Sequence, residues 1–290
     1  MGRLTTTVAV LACAGAFALL ASGCGERREP TGATAPTVYP VTVQGANDRP
    51  LEIARAPLRV LPVSSTAAAI VDALGHRELV PGAPATGRLR PFPVRAVAST
   101  PADLVVGSQT NDANALQAAA DDASTPLLVL ADNSIRDLAQ SILELGLALG
   151  VPMRARALVA AIDAKRAEVK AKLKGSAPVT VFVDTGYSIP IADDTFAGEV
   201  LREAGATNVA GNADATPYPV KELLAADPTF YLATEASGTR LEDLRKTRRV
   251  RTLAAVRAGR FAIIPLSLLR PGPDVGEAID ELYTILHPAP

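Results

Sequence analysis

Two histidines, an adjacent pair of aspartates and a run of arginines are the side chains of this 290-residue chain best suited to chemistry. His76 follows a helix-like stretch and His287 lies near the C-terminus, without the short ligand spacing of a zinc site. Both are therefore expected at the surface or packed at element ends. Asp193 and Asp194 in IADDTF are neighbours, and adjacent side chains rarely converge on one metal ion; capping a helix ahead of Phe196 is the expected role. No GxSxG, Walker A or dinucleotide-type GxGxxG signature is present. The chain thus reads as a protein without bond chemistry, resident metal or cofactor. Between Arg240 and Arg260 eight cations crowd together, a pattern open to anionic lipid or an acidic partner. Because Glu242, Asp243 and apolar residues are interleaved, a solvated helix face is the expectation. With 29 basic and 30 acidic side chains the net charge is −1, which gives no sign of a nucleic-acid partner.

The N-terminus bears on where the protein works. Arg3, an apolar run from about Val8 to Ala21 and small residues up to Cys24 have the layout of a secretory signal. The run is shorter than the ~20 residues of a membrane-spanning helix. Leu20-Ala21-Ser22-Gly23-Cys24 also resembles the bacterial lipobox. That resemblance implies cleavage before Cys24, its acylation, and a protein lipid-anchored at the outer face of the bacterial cytoplasmic membrane. The alternative is ordinary secretion with a free Cys24. The stretch from Gly25 to about Pro36, rich in Pro, Thr and charge, suits a wet tether. Cys13 leaves with the signal, so the mature fold must hold without disulfides.

Any site must be positioned by regular elements, and the sequence marks them. Short apolar runs recur at 58–63, 103–108, 126–131, 179–184, 229–234 and 260–266, without the alternation of half-exposed strands. Helical spacing falls between them, as in 65–75, 134–150, 195–205 and 219–228, and argues for βαβ units with parallel sheets. Residues 41–53 read as a hairpin turning between Gly45 and Asp48. The segment 151–176 stands apart: Pro152 suits a first helical turn, Gly175 a stop, and Leu158, Ile162, Val169 and Leu173 form a narrow apolar stripe. Glu168 and Lys172 are spaced to pair along it. Three strand runs precede this rod and three follow. The expected class is α/β: two lobes, each with a mainly parallel sheet and flanking helices, joined by one long rigid helix. The expected boundaries are a signal at 1–23, a tether at 24–36, an N-terminal lobe at 37–150, a connecting helix at 151–176 and a C-terminal lobe at 177–290. A surface helix on a single sheet is the competing reading.

With these motifs in hand, the chain resembles the helical-backbone class (class III) of bacterial solute-binding proteins, receptors that pass chelated iron, haem or cobalamin to ABC importers. RVLPVSSTAAAIVDALGHRELVPG (59–82), TPADLVVGSQ (100–109) and SIRDLAQSILELGLALG (134–150) are similar to the first half of that family. DDTFAGEVLREAGATNVAG (193–211), ELLAADPTFYL (222–232) and 253–288 match the second half, so the likeness covers about 40–288. The family's two importer-docking glutamates correspond to Val94 and Lys221 here, with Glu222 one place along, an offset that turns a helical side chain by ~100°. Its tryptophan before the last strand is Val250, and the chain has no tryptophan.

The resemblance implies a ligand cleft between the lobes, reached by loops after the parallel strands. Ser64, Ser65 and Thr66, then Ser108 and Gln109, then Tyr187, Tyr218, Glu235 and Arg270 lie on such loops. Ser64–Thr66 also suit a helix cap, and either tyrosine also suits a packed ring. Arg270, joined by Arg88 and Arg90, suits an anionic chelate. The implied ligand is a ferric siderophore and the implied partner an ABC importer permease, docked through Glu222. Haem is the alternative if Tyr187 or Tyr218 supplies an axial oxygen, and cobalamin is less suited. A rival from another class is a cell-envelope interaction protein that keeps the fold without transport.

Overall fold

The computed structural model describes residues 37–47, 49–177, 179–186, 191–212 and 217–288. The signal, the tether, Cys24 and Tyr187 lie outside the described residues. The chain opens with an antiparallel hairpin of β1 (Val41–Gln44) and β2 (Pro50–Ile53), in register from Val41↔Ile53 to Gln44↔Pro50. β3 (Val60–Pro62), α1 (Ser65–Ala73), β4 (Leu104–Ser108), α2 (Ala113–Asp122), β5 (Leu127–Leu130) and α3 (Ile135–Ala148) follow. They build a three-stranded parallel sheet of order β3-β4-β5. Every residue of β4 is buried, as an unbroken apolar run demands when helices cover both faces.

α4 (Pro152–Lys172) then leads into the second half. β6 (Val179–Asp184), α5 (Phe196–Glu203), β7 (Ala206–Asn208), α6 (Val220–Ala226) and β8 (Phe230–Thr234) come next. After them run α7 (Leu241–Lys246), α8 (Ala254–Ala258), β9 (Phe261–Ile264) and α9 (Val275–Leu286). Their sheet is parallel, in the order β7-β6-β8-β9. The two sheets are separate, as the two-lobed expectation requires, and a single continuous sheet is excluded. β7 is an added edge strand, and β9 exposes Ile263 by half at the other edge.

With 21 residues, α4 is about 31 Å long at ~1.5 Å per residue. Pro152 sits in its first turn, where no backbone donor is needed. Leu173 closes it with an N–H to the Val169 carbonyl at 3.0 Å, and Gly175 follows at φ +84°. Ala155, Ile162 and Val169 are its buried positions; Leu158 and Leu173 are only half-buried. The helix is packed along its length rather than free. A Cβ added at Gly146 of α3 would run into Ala155, and one at Gly276 of α9 would sit 3.0 Å from Lys165 Cβ. These two glycines let helices from both halves close on α4. The expected pairing of Glu168 with Lys172 does not form. Glu168 takes Lys165 at 2.9 Å, while Lys172 reaches Asp280 on α9 at 2.5 Å. Arg166 pairs with Glu203 on α5, and this carboxylate holds its guanidinium pKa above the usual range.

Residues 36–290 form one compact unit. One apolar cluster runs from the first sheet (Val60, Leu104, Leu128) through α4 to the second (Val181, Val183, Leu232). Smaller clusters lie on the other sheet faces, around Leu61 and Val105 in the first half and around Phe182 and Tyr231 in the second. A direct polar tie also crosses between the halves: Glu199 of α5 accepts from the backbone N–H of Ile135 at 2.8 Å, supplementing the Ser134 cap of α3.

Candidate ligand cleft

The loop from β3 into α1 is set by its cap. Ser64 Oγ accepts from the Ala67 N–H at 3.0 Å and satisfies one free donor of the first turn. That geometry leaves Ser65 exposed and turns Thr66 inward, 5% exposed. Thr66 Oγ1 lies 3.1 Å from Asp132 Oδ2 and 3.4 Å from the Pro271 carbonyl, so this one hydroxyl touches both halves.

The neighbour of Thr66, Ser65, and its contact Pro271 both line a cleft of about 230 Å³. Ser65 and Ala69 of α1, Arg88, Arg90, and Arg270 are among its walls, with Ser267 and Asp274 completing the side from the second half. Between the two loop arginines Leu89 is buried, 4% exposed, and anchors the loop so that both cations point outward. Two neighbouring depressions of about 350 and 340 Å³ share Arg88 and Leu89 with this cleft. Among the described residues none of the three arginines has an ion-pair partner. Among the described residues Asp274 is the one carboxylate on the wall, so the cleft is cationic, and the N-terminal end of α1 adds its partial positive charge. Planar guanidinium forks with free donors are suited to gripping carboxylates or phosphates two hydrogen bonds at a time.

The structure thus brings Ser65, Arg88, Arg90 and Arg270 together and sends the other expected residues elsewhere. Ser64 is spent on its cap. Ser108 is 1% exposed, with Oγ 2.7 Å from Thr110 Oγ1, and Gln109 accepts from Asn133 Nδ2 at 2.9 Å. Tyr218 takes the other of its two expected roles. It is 6% exposed, donates to the Val209 carbonyl at 3.2 Å and packs its ring at a tilt 5.4 Å from Phe182, away from the cleft walls. Burial also pushes its phenol pKa up. Glu235 is exposed in the 3-10 turn after β8, and Glu222 is exposed in the first turn of α6; neither lines the cleft.

Asp193 and Asp194 are not the expected cap either. Thr195 caps α5 through the Gly198 N–H, while Asp193 accepts from Asn208 Nδ2 at 3.1 Å. His76 faces Glu78 at 3.1 Å and His287 stacks on Tyr283 at 4.9 Å. Among the described residues no group of His, Cys, Asp or Glu is placed to hold a metal ion, and no helix is long and apolar enough to cross a membrane.

Asp132 escaped the sequence reading. It is 2% exposed beneath the cleft, with Oδ2 bonded to Thr66 and Oδ1 without a partner. Burial raises its pKa above the ordinary carboxylate value, and the hydrogen bond from Thr66 partly opposes that shift. A lone aspartate after a strand carries no sequence signal that it will be buried.

The comparisons with known proteins agree with this architecture. The periplasmic heme-binding protein RhuT from Roseiflexus is 23% identical with a TM-score of 0.68, over 79% of this chain and 97% of that one. The Helicobacter pylori CeuE structure with bound Ni(II) is 16% identical with a TM-score of 0.71, over 86% and 89%. A periplasmic heme-binding protein from Pseudomonas aeruginosa is 22% identical with a TM-score of 0.66, over 80% and 94%. At such identities the likeness is one of fold. No curated protein matches the chain. The periplasmic binding protein family matches residues 93–268, more than half of the 290, and the chain belongs to that family.

Proposed function

We propose that the chain is a lipid-anchored extracytoplasmic receptor that captures an anionic iron chelate, a siderophore, between its halves and delivers it to an ABC importer. The carrying observation is the meeting of Arg88 and Arg90 from one half with Arg270 from the other on one cleft. A chelate with several carboxylates would be gripped from both sides, with further support from the first turn of α1. Because α4 is packed against both halves, capture needs little rearrangement, unlike hinge closure around flexible strands. Cys24 would carry the acyl chains, and Glu222, exposed on α6, is the acidic group offered to the permease.

Calorimetric titration with a ferric carboxylate siderophore, haem and cobalamin tests the reading. The ferric chelate should bind, and Arg88→Ala with Arg270→Ala should weaken it at least ~100-fold, since hydrogen bonds to charged groups contribute ~1.5–3 kcal/mol each. Silence from all three ligands removes the transport reading. Haem, named as the ligand of the Roseiflexus and Pseudomonas proteins, is the runner-up. Its axial oxygen would come from Tyr187, because Tyr218 and Tyr231 donate their hydroxyls to Val209 and Asp184. Binding of haem that Tyr187→Phe abolishes would establish that alternative.

One observation favours the second reading, an envelope interaction protein without transport. The positions that would carry the two importer-docking glutamates hold Val94 and Lys221. A permease encoded beside the gene, whose transport this chain supports, would dismiss it.

A further inference from the structure

The segment 240–260 packs onto the outer face of the second sheet through Leu244, Leu253, Ala255 and Val256, all buried beside Phe182 and Tyr231. Its seven arginines and Lys246 are all exposed. Eight cations against Glu242 and Asp243 leave this stretch at +6 in a chain of net charge −1. Elsewhere the chain pairs basic groups with carboxylates, as at Arg77, Lys165, Arg166 and Lys172. Within 240–260 no cation has an ion-pair partner among the described residues. Such a concentration of unpaired like charge opposes folding by self-repulsion and gains nothing inside the chain.

From this we infer that the exposed face of 240–260 is a docking surface for anionic phospholipid headgroups. Guanidinium forks match phosphate oxygens, and each basic residue close to an anionic bilayer strengthens attachment about fivefold. A protein partner fits less well, because interface cores are built on large apolar and aromatic groups as well as arginine. None of the exposed large apolar residues (Val38, Leu58, Met153, Val220, Ile263) falls in this stretch. The nearness of a membrane rests on the secretory reading of residues 1–24, but the lipid affinity of the face does not.

The test uses residues 36–290, which form a compact unit of their own and carry no acyl chain. The protein is sedimented with vesicles of phosphatidylglycerol and phosphatidylcholine mixed equally, and with phosphatidylcholine alone. Binding is expected only to the anionic vesicles, and is lost in ~1 M salt, where the screening length falls to ~3 Å. Reversing Arg245, Arg248, Arg249 and Arg251 to Glu should lower partitioning ~100-fold or more, with thermal unfolding confirming that the variant folds. The same reversal at Arg95, Arg136, Arg156 and Lys174, exposed elsewhere, should leave most of it. Equal loss in both variants would reduce the effect to net charge and overturn the proposal. Binding to neutral vesicles overturns it too, as does binding to polyaspartate but not to vesicles, which assigns the face to an acidic protein. Acylation of Cys24 is read separately, by mass, so failure of the anchor and failure of this face are distinguishable.

Discussion

At the scale of single residues, Arg270 and Asp132 make opposite use of their surroundings. Arg270 ends the 3-10 turn Leu266–Leu269 exposed, its fork available to an anion. Arg270→Lys keeps the charge but loses the fork, so it should restore only part of the affinity that Arg270→Ala removes, as calorimetric titration would measure. Asp132 is buried, and its raised pKa means that the native state holds the proton more tightly than the unfolded chain. Through the window from the ordinary value of 3.8 up to the raised native value, the folded state binds more protons, so this group's contribution to stability falls as pH rises. Asp132→Asn keeps an acceptor for Thr66 and cannot ionise. Its melting temperature should exceed the wild type's near neutrality and approach it at acid pH; a constant difference across pH would refute the assignment. The two residues were not equally legible in the sequence. Arg270 announced itself as a loop cation beside Pro and Gly, whereas Asp132 acquires its character only from what folds over it. For Tyr218 the sequence left both roles open for a similar reason: the Phe182 ring packed against it comes from a distant strand.

At the scale of elements, the contact of α3 with α4 depends on having no side chain at Gly146, because Ala155 occupies that space. Gly146→Leu should therefore destabilise by more than the ~1–3 kcal/mol usual for overpacking, since helix backbones must part, and a loss of ~3 kcal/mol lowers the melting temperature by at least ~6 °C in a domain of this size. Gly175→Ala, where nothing lies within reach of a new Cβ but φ is +84°, should cost only ~1 kcal/mol of backbone strain. Thermal unfolding of the two variants separates packing from conformation. The apolar strand runs were legible because strands covered by helices need no polar alternation, and the rod because Pro152, Gly175 and a narrow apolar stripe mark a helix buried on one side. β7, with Ala206, Thr207 and Asn208, has no apolar run to betray it and exists because β6 offers it an edge. The Glu168–Lys172 pair was misread because spacing along one helix says nothing of Asp280 arriving from another.

At the scale of the whole molecule, the two sheets are distinct, yet the apolar cluster crosses from one to the other through α4. Lobes joined by a bare linker would unfold separately, each with its own core. Here Ala155 closes on α3 while Ile162 and Lys165 close on α9, so melting either half strips apolar cover from the helix that supports the other. Loss of that cover costs ~1.5–3 kcal/mol for each large buried side chain, enough to couple the halves. Scanning calorimetry of residues 36–290 should accordingly show one transition with equal calorimetric and van't Hoff enthalpies. Arg166→Ala, which cuts the tie of α4 to Glu203, should lower that single transition without splitting it. Two resolved transitions in the unaltered chain would mean that α4 behaves as a linker. The small rearrangement on ligand capture, which follows from the same welding, would then lose its physical basis as well.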